Sequence, residues 1–212
     1  GYDWNVYFAA AGVGNKTDYA IVRQPSFFAA FGTLLGETPL PVWKSYFKWQ
    51  VLKATAPYLG KRFVDEDFVF SGTTLRGIPE NRPRWKRGVE LVEQSIGEGL
   101  GRIYVAKHFP PQYKERMQAL VGNLLTAYRQ SIESLSWMGP ETRREALRKL
   151  AKFTPKIAYP DTWRDYGALA VSRDDLLGNL LRARRFDYQR QVAKLGKPID
   201  RGEWYMTPQT VN

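Results

Sequence analysis

The residues able to do chemistry are few, and their scarcity is informative. The 212-residue chain has one histidine, His108, and no cysteine. That excludes a disulfide framework, a thiolate nucleophile and any cysteine-built metal centre. It also excludes a zinc site built on two or more histidines. His108 follows Lys107 and precedes Phe109-Pro110. This places it at the end of a helix, where an imidazolium interacts well with the dipole. Alone it supplies neither a metal site nor a triad. No serine sits in a Gly-x-Ser-x-Gly turn. Asp65-Glu66-Asp67 is acidic but lacks the alternating ligands and the glycine of a calcium loop. Gly97, Gly99 and Gly101 alternate, yet no P-loop order is present and no strand precedes them. They read as close helix packing at small residues. No catalytic residue and no metal ligand is assigned within the chain.

The charge balance is the extreme value: +11, with a sequence pI of about 9.8. Arg82, Arg84, Lys86 and Arg87 cluster at one helix start. Arg143, Arg144, Arg148, Lys149 and Lys152 stud a second helix, and Arg182, Arg184, Arg185 and Arg190 a third. A basic helical nucleic-acid-binding module is therefore one reading. Acids are interleaved, however, at Glu90, Glu93, Glu115, Glu133, Glu141, Glu145 and Asp187. Solvated faces and intramolecular pairs are favoured, and no nucleic-acid partner is assigned. A purely structural interaction domain is the other alternative.

The elements that must carry these residues read mostly as helix. Pro25 opens one, with Phe27, Phe28, Phe31, Leu34 and Leu35 at helical spacing and Gly36 as its stop. A second follows Pro41 and ends near Pro57. Asp65-Glu66-Asp67 is expected in the first turn of a third. A longer helix begins near Arg84, with Trp85, Val89, Val92, Ile96, Leu100, Ile103 and Tyr104 as its buried stripe. Another runs from Tyr113 to Leu135. A short basic one follows from Glu141, with Ala146, Leu147, Leu150 and Phe153 inward. Ser172 is expected to cap the last helix, Asp174-Asp175 to occupy its first turn, and Gly196 to end it. Tyr19-Ala20-Ile21-Val22 reads as a strand. The fold class is all-α: a bundle of about seven helices with one or two short strands. No run approaches the roughly 18 apolar residues of a membrane span.

Several strings gain meaning together. They are Arg84-Trp85-Lys86-Arg87 with Gly101-Arg102-Ile103-Tyr104-Val105, and Trp137-Met138 followed by Thr142, Ala146 and Lys149. Two more are Lys156-Ile157-Ala158-Tyr159-Pro160 and Trp204-Tyr205-Met206-Thr207-Pro208-Gln209-Thr210-Val211-Asn212. In this order, with the weaker pattern of the Gln24-Pro25-Ser26-Phe27-Phe28 helix, the chain resembles the neprilysin family of zinc metallopeptidases from about Tyr2 to its last residue. Ala158 stands where the family usually has glycine. Gly88 stands where eukaryotic relatives carry a disulfide cysteine, so the chain resembles a bacterial-type member.

The resemblance implies a two-lobed zinc metalloendopeptidase that hydrolyses peptides, with a helical lobe facing a catalytic lobe across an enclosed cavity. Family members hold zinc with an HExxH helix and a downstream glutamate, none of which is in this chain. The chain is then expected to be the later part of the helical lobe. Residues 1–203 would form that lobe, incomplete on its N-terminal side, and 204–212 would lead into the zinc lobe. By itself it is expected to be inactive and to bind no cofactor. Its partners would be peptide substrates and the catalytic lobe of the same chain. Asn212 matches the family's cleft asparagine, whose side-chain amide binds the substrate backbone. A periplasmic or secreted location is favoured over a cytoplasmic one.

Overall fold

A computed structural model describes residues 3–210. Among them are eight α-helices and no strand. The chain divides into two units. One comprises Gly1–Val89 with Gly167–Ile199, and the other Glu90–Tyr166 with Asp200–Asn212.

The first unit is built on aromatic contacts between its early helices. Asp3 caps α1 (Trp4–Ala10), its carboxylate accepting the Asn5 N–H at 2.9 Å. Trp4 meets Phe28 of α2 (Pro25–Glu37) edge to face, with centroids 5.6 Å apart. Phe31 meets Trp43 of α3 (Leu40–Thr55) in the same way at 6.5 Å. Such pairs contribute about 0.5–1.5 kcal/mol each beyond area burial. A 3-10 turn at Ala56–Tyr58 ends α3 as Pro57 requires, with Thr55 and Ala56 buried. Next come α4 (Lys61–Phe68) and a π-helical turn at Val69–Thr74. The last helix of this unit, α8 (Leu176–Val192), buries Leu180 and Ala183. Its Tyr188 hydroxyl donates to the Ala11 carbonyl at 2.6 Å, tying α8 to the end of α1.

Four expectations need correction here. Tyr19-Ala20-Ile21-Val22 pairs with no strand, and Tyr19 and Ile21 are exposed. β-branched composition alone does not make a strand without a neighbour to pair with. The third helix starts at Lys61, so Asp65-Glu66-Asp67 lies in its second half. There Asp65 is held by Lys61 four residues earlier, at 2.5 Å, rather than by the dipole. The cap of α8 is Asp175, which accepts the Gly178 N–H at 2.9 Å; Ser172 uses its backbone N–H to bond Asn179. Gly196 lies past the helix, in a turn at φ +74°. Finally, Phe153, Trp85 and Ile103 are exposed rather than inward.

The second unit holds the rest of α5 (Arg84–His108), then α6 (Pro111–Ser134) and α7 (Pro140–Ala151). Helix α5 departs from helical backbone at Ile96 (φ −139°, ψ 40°), directly before Gly97. Helices α6 and α7 pack together through a tight turn. Arg143 holds that turn by donating from Nη2 to the carbonyls of Leu135 (2.5 Å) and Met138 (3.0 Å). The turn that contains Trp137 and Met138 is thus closed by a guanidinium bonded to the carbonyl that caps α6 and to one within the turn.

Candidate functional site

Three segments of the second unit converge on α5 and α6. Glu98 of α5 accepts the Arg164 N–H at 2.5 Å and faces the Arg164 guanidinium at 3.5 Å. Lys114 of α6 donates to the Tyr159 carbonyl at 2.9 Å and to the Asp161 carboxylate at 2.7 Å. Its ammonium also stands 4.3 Å from the Tyr159 ring centre. Lys156 donates to the Glu203 carbonyl. The Lys156–Pro160 string and the start of the C-terminal segment are thus joined by main-chain acceptors.

The C-terminal segment itself lies on the α5 glycines. A Cβ at Gly97 would stand 2.8 Å from Thr207 Cγ2, and one at Gly101 would stand 2.6 Å from Gln209 Oε1 and 2.7 Å from Pro208 Cδ. Real Cβ atoms do not approach so closely, so glycine is needed at both positions. Gly97 and Gly101 are buried, as the small-residue packing reading expects. A Cβ at Gly99 would stand 3.5 Å from the Tyr166 ring, an ordinary contact. Glu93, one turn before Gly97, receives both polar side chains of the segment. Its Oε1 accepts from Thr207 Oγ1 and its Oε2 from Gln209 Nε2. Gln209 Nε2 also donates to the Gly97 carbonyl at 3.0 Å.

The hydrogen-bond directions follow from the donor inventory. A carboxylate can only accept, so the Thr207 proton goes to Glu93. Thr207 Oγ1 and Thr210 Oγ1 are 2.6 Å apart, so Thr210 is the donor in that pair. The result is an ordered series, Thr210 to Thr207 to Glu93. The Thr210 N–H also donates to the Thr207 carbonyl at 3.1 Å. Asn212, the one site residue assigned from sequence, lies outside the described residues, two positions beyond Thr210. Sequence reasoning treated Glu93 only as one of several interleaved acids. Its position four residues before Gly97, on the small-residue face, was the available signal.

His108 occupies the last turn of α5, exposed, with the Tyr104 ring 5.0 Å away. Among the described residues no three His, Asp or Glu side chains gather as a metal cluster. With a single histidine in the sequence, the residues present do not fit a two-histidine zinc centre. Several members of the basic clusters engage local partners. Arg148 pairs with Glu145 at 2.5 Å and Arg190 with Asp187 at 3.0 Å. Arg182 reaches Asp175 at 3.1 Å and the Ala170 carbonyl at 2.9 Å. The Gly178 N–H, and then Arg182, hold the Asp175 carboxyl below the usual carboxylate range. No described helix is long and apolar enough to cross a membrane.

Comparison with known proteins decides the family. The model of peptidase family M13 matches residues 1–160. The chain belongs to peptidase family M13. Its fold is similar to that of the Mycobacterium tuberculosis zinc metalloprotease Zmp1 in the open state. The TM-score is 0.91 and the identity 47%, over 100% of this chain and 33% of that one. It is also similar to PepO from Lactobacillus rhamnosis, with a TM-score of 0.63 and 28% identity over 73% of this chain and 25% of that one. Among curated relatives, an endothelin-converting enzyme homolog of Locusta migratoria is 27% identical, over 99% of this chain and 31% of its own length. The chain therefore spans about a third of the relatives it matches. These matches identify a neprilysin-like M13 chain with the family's helical fold.

Proposed function

We propose that these 212 residues are the helical-lobe portion of a zinc-dependent metalloendopeptidase that hydrolyses peptides. In this reading residues 1–203 help to enclose the substrate cavity, and 204–212 lead into the catalytic lobe. Asn212 binds the backbone of the bound peptide through its side-chain amide. Zinc, which supplies the activation of water in such enzymes, belongs to residues outside this chain. The chain by itself is inactive. The observation that carries the reading is the match along the whole chain, at 47% identity, to a zinc metalloprotease.

The surface supports it. The chain exposes 17105 Å², whereas a folded monomer of 24.4 kDa exposes about 10,000 Å². Large apolar side chains stand in solvent, among them Trp49, Phe70, Trp85, Ile103, Trp137 and Phe153. Surfaces of this kind are covered in a working protein, and the rest of the same polypeptide is the cover proposed here. A location outside the cytoplasm goes with this reading.

The test compares the complete open reading frame with the 212-residue chain. The complete protein is expected to cleave short peptides in a chelator-sensitive way, and the 212-residue chain to cleave none. Peptidase activity in the short chain would refute the assignment of its role. A complete protein indifferent to chelation would refute the metallopeptidase reading.

A further inference from the structure

We infer that Glu93, with the glycine floor at Gly97 and Gly101, is the positioning device for the substrate-binding end of this segment. The inference rests on the reading of Asn212 given above and adds the residues that set its register. Each step stands on geometry. The two carboxylate oxygens of Glu93 take separate donors two residues apart, Thr207 and Gln209. Thr207 and Gln209 are held in one turn, closed by the Thr210 N–H on the Thr207 carbonyl at 3.1 Å, and a shift by one residue would present Pro208 instead, which has no donor at all. The carboxylate therefore reads register as well as providing attachment. The glycines add a second, steric reading. Thr207 fits over Gly97, and Pro208 with Gln209 over Gly101, at separations that no Cβ would permit.

The Thr210 to Thr207 to Glu93 series extends this control to within two residues of Asn212. Charge-assisted bonds of this kind are the stronger ones in a protein interior. Glu93 touches no substrate in this scheme. It acts on binding by fixing the segment, up to Thr210, that leads to Asn212. An error in register at Thr207 would pass directly down the backbone to the substrate amide. The expected signature is a weakened grip on peptide rather than a slower chemical step, because the interaction concerned is made before as well as in the transition state.

The test uses the complete protein and two readouts. Hydrogen exchange over residues 203–210 reports the clamp without any substrate. Glu93→Ala is expected to speed exchange there by about ten- to a hundredfold, from the loss of two bonds to a charged acceptor. Glu93→Gln, which keeps an acceptor for Thr207, should fall between. Peptide hydrolysis reports the consequence. Gly97→Ala places a methyl against Thr207 Cγ2, and KM is expected to rise about tenfold with kcat changed far less. Adding Thr207→Ser removes the opposing methyl and keeps the hydroxyl that Glu93 needs, leaving only the milder approach to Glu93 Oε1 at 3.1 Å, so the double variant should recover most of the wild-type KM. Unchanged exchange in Glu93→Ala would overturn the clamp whatever the activity. Faster exchange with an unchanged KM would overturn the positioning role. No hydrolysis by the wild-type protein would overturn the proposed function, and the positioning role with it, while the exchange result would still judge the clamp.

Discussion

Ala158 offers the sharpest test of the local physics. It is the only described non-glycine residue at positive φ, at +64°. The Tyr159 N–H donates to the Ile157 carbonyl at 2.7 Å across it, closing a three-residue turn. A turn of that length with a positive central φ is the strained γ form. An L-residue held there loses about 1–2 kcal/mol to contact between its Cβ and the backbone. Glycine removes that cost. It adds about 0.4–1 kcal/mol of unfolded-chain entropy. It also gives up half-burial of one methyl, about 0.4 kcal/mol. The balance favours Ala158→Gly by about 0.5 kcal/mol, or about 1–2 °C in Tm for a chain of this size. Ala158→Val should instead lose more than 1 kcal/mol, ~1–2, because a β-branched residue is still less at home at positive φ.

Urea denaturation of the three proteins side by side provides the measurement, with the order Gly, Ala, Val in falling midpoint. If glycine destabilised by more than about 0.5 kcal/mol, the entropy and packing terms would outweigh the strain, and the reasoning from φ would be wrong. If valine matched alanine, the turn would not be strained at all.

Three further substitutions probe the same unit and the cap of α8. Lys114→Met should cost about 1–3 kcal/mol by stranding the Tyr159 carbonyl, whereas Asp161→Ala should cost under about 0.5 kcal/mol because its carboxylate is exposed; equal losses would show that the ion pair, not the carbonyl, matters. Asp175→Ala should lower stability at neutral pH. The folded Asp175 carboxyl is depressed, so its contribution is present above the unfolded carboxylate range, near ~3.9, and is lost as pH falls through the lower folded value. The gap in thermal midpoint between the wild type and Asp175→Ala should therefore close on acidification; a gap that persists well below that range would contradict the capping assignment.

Where the chain breaks was plain from its prolines. Pro25, Pro57, the Pro110-Pro111 pair and Pro140 each stand at a helix boundary, because a residue with no N–H and a fixed φ can sit only in a first turn or beyond an end. Helix α1 was not visible. Seven residues give too little periodicity, and its stability comes from Trp4 against Phe28, a contact between elements. The Asp65-Glu66-Asp67 start failed because acidic residues also serve i,i+4 pairs within a helix, and sequence alone does not weigh the two. Packing at Gly97 and Gly101 was legible as a property of small residues. What packs there was not, since Thr207 and Gln209 lie more than a hundred residues away in sequence. Only the family resemblance drew attention to that C-terminal string, and it pointed to Asn212 rather than to Glu93.

The exposed stripe residues and the basic clusters bear on one question from opposite sides. Trp85 and Val89 lie one turn apart on α5 and Ile103 lies beyond its break at Ile96, and periodicity assigns all three to apolar positions that need covering. Yet all three are more than half exposed. Spacing shows that a face needs covering; it does not show that this chain supplies the cover. The charges behave in the reverse way. A net +11 suggests an unmet demand for anions, but Arg143, Arg148, Arg182 and Arg190 each bond an acceptor on their own helix or the adjoining loop. Surface pairs of this kind contribute little stability, about 0–1 kcal/mol each. They do occupy the guanidinium donors that an external phosphate would otherwise engage. The apolar faces are the larger unmet demand of this chain, and they call for a protein surface. That is the requirement expected of the lobe proposed above, and it supports that proposal with an observation independent of the family match.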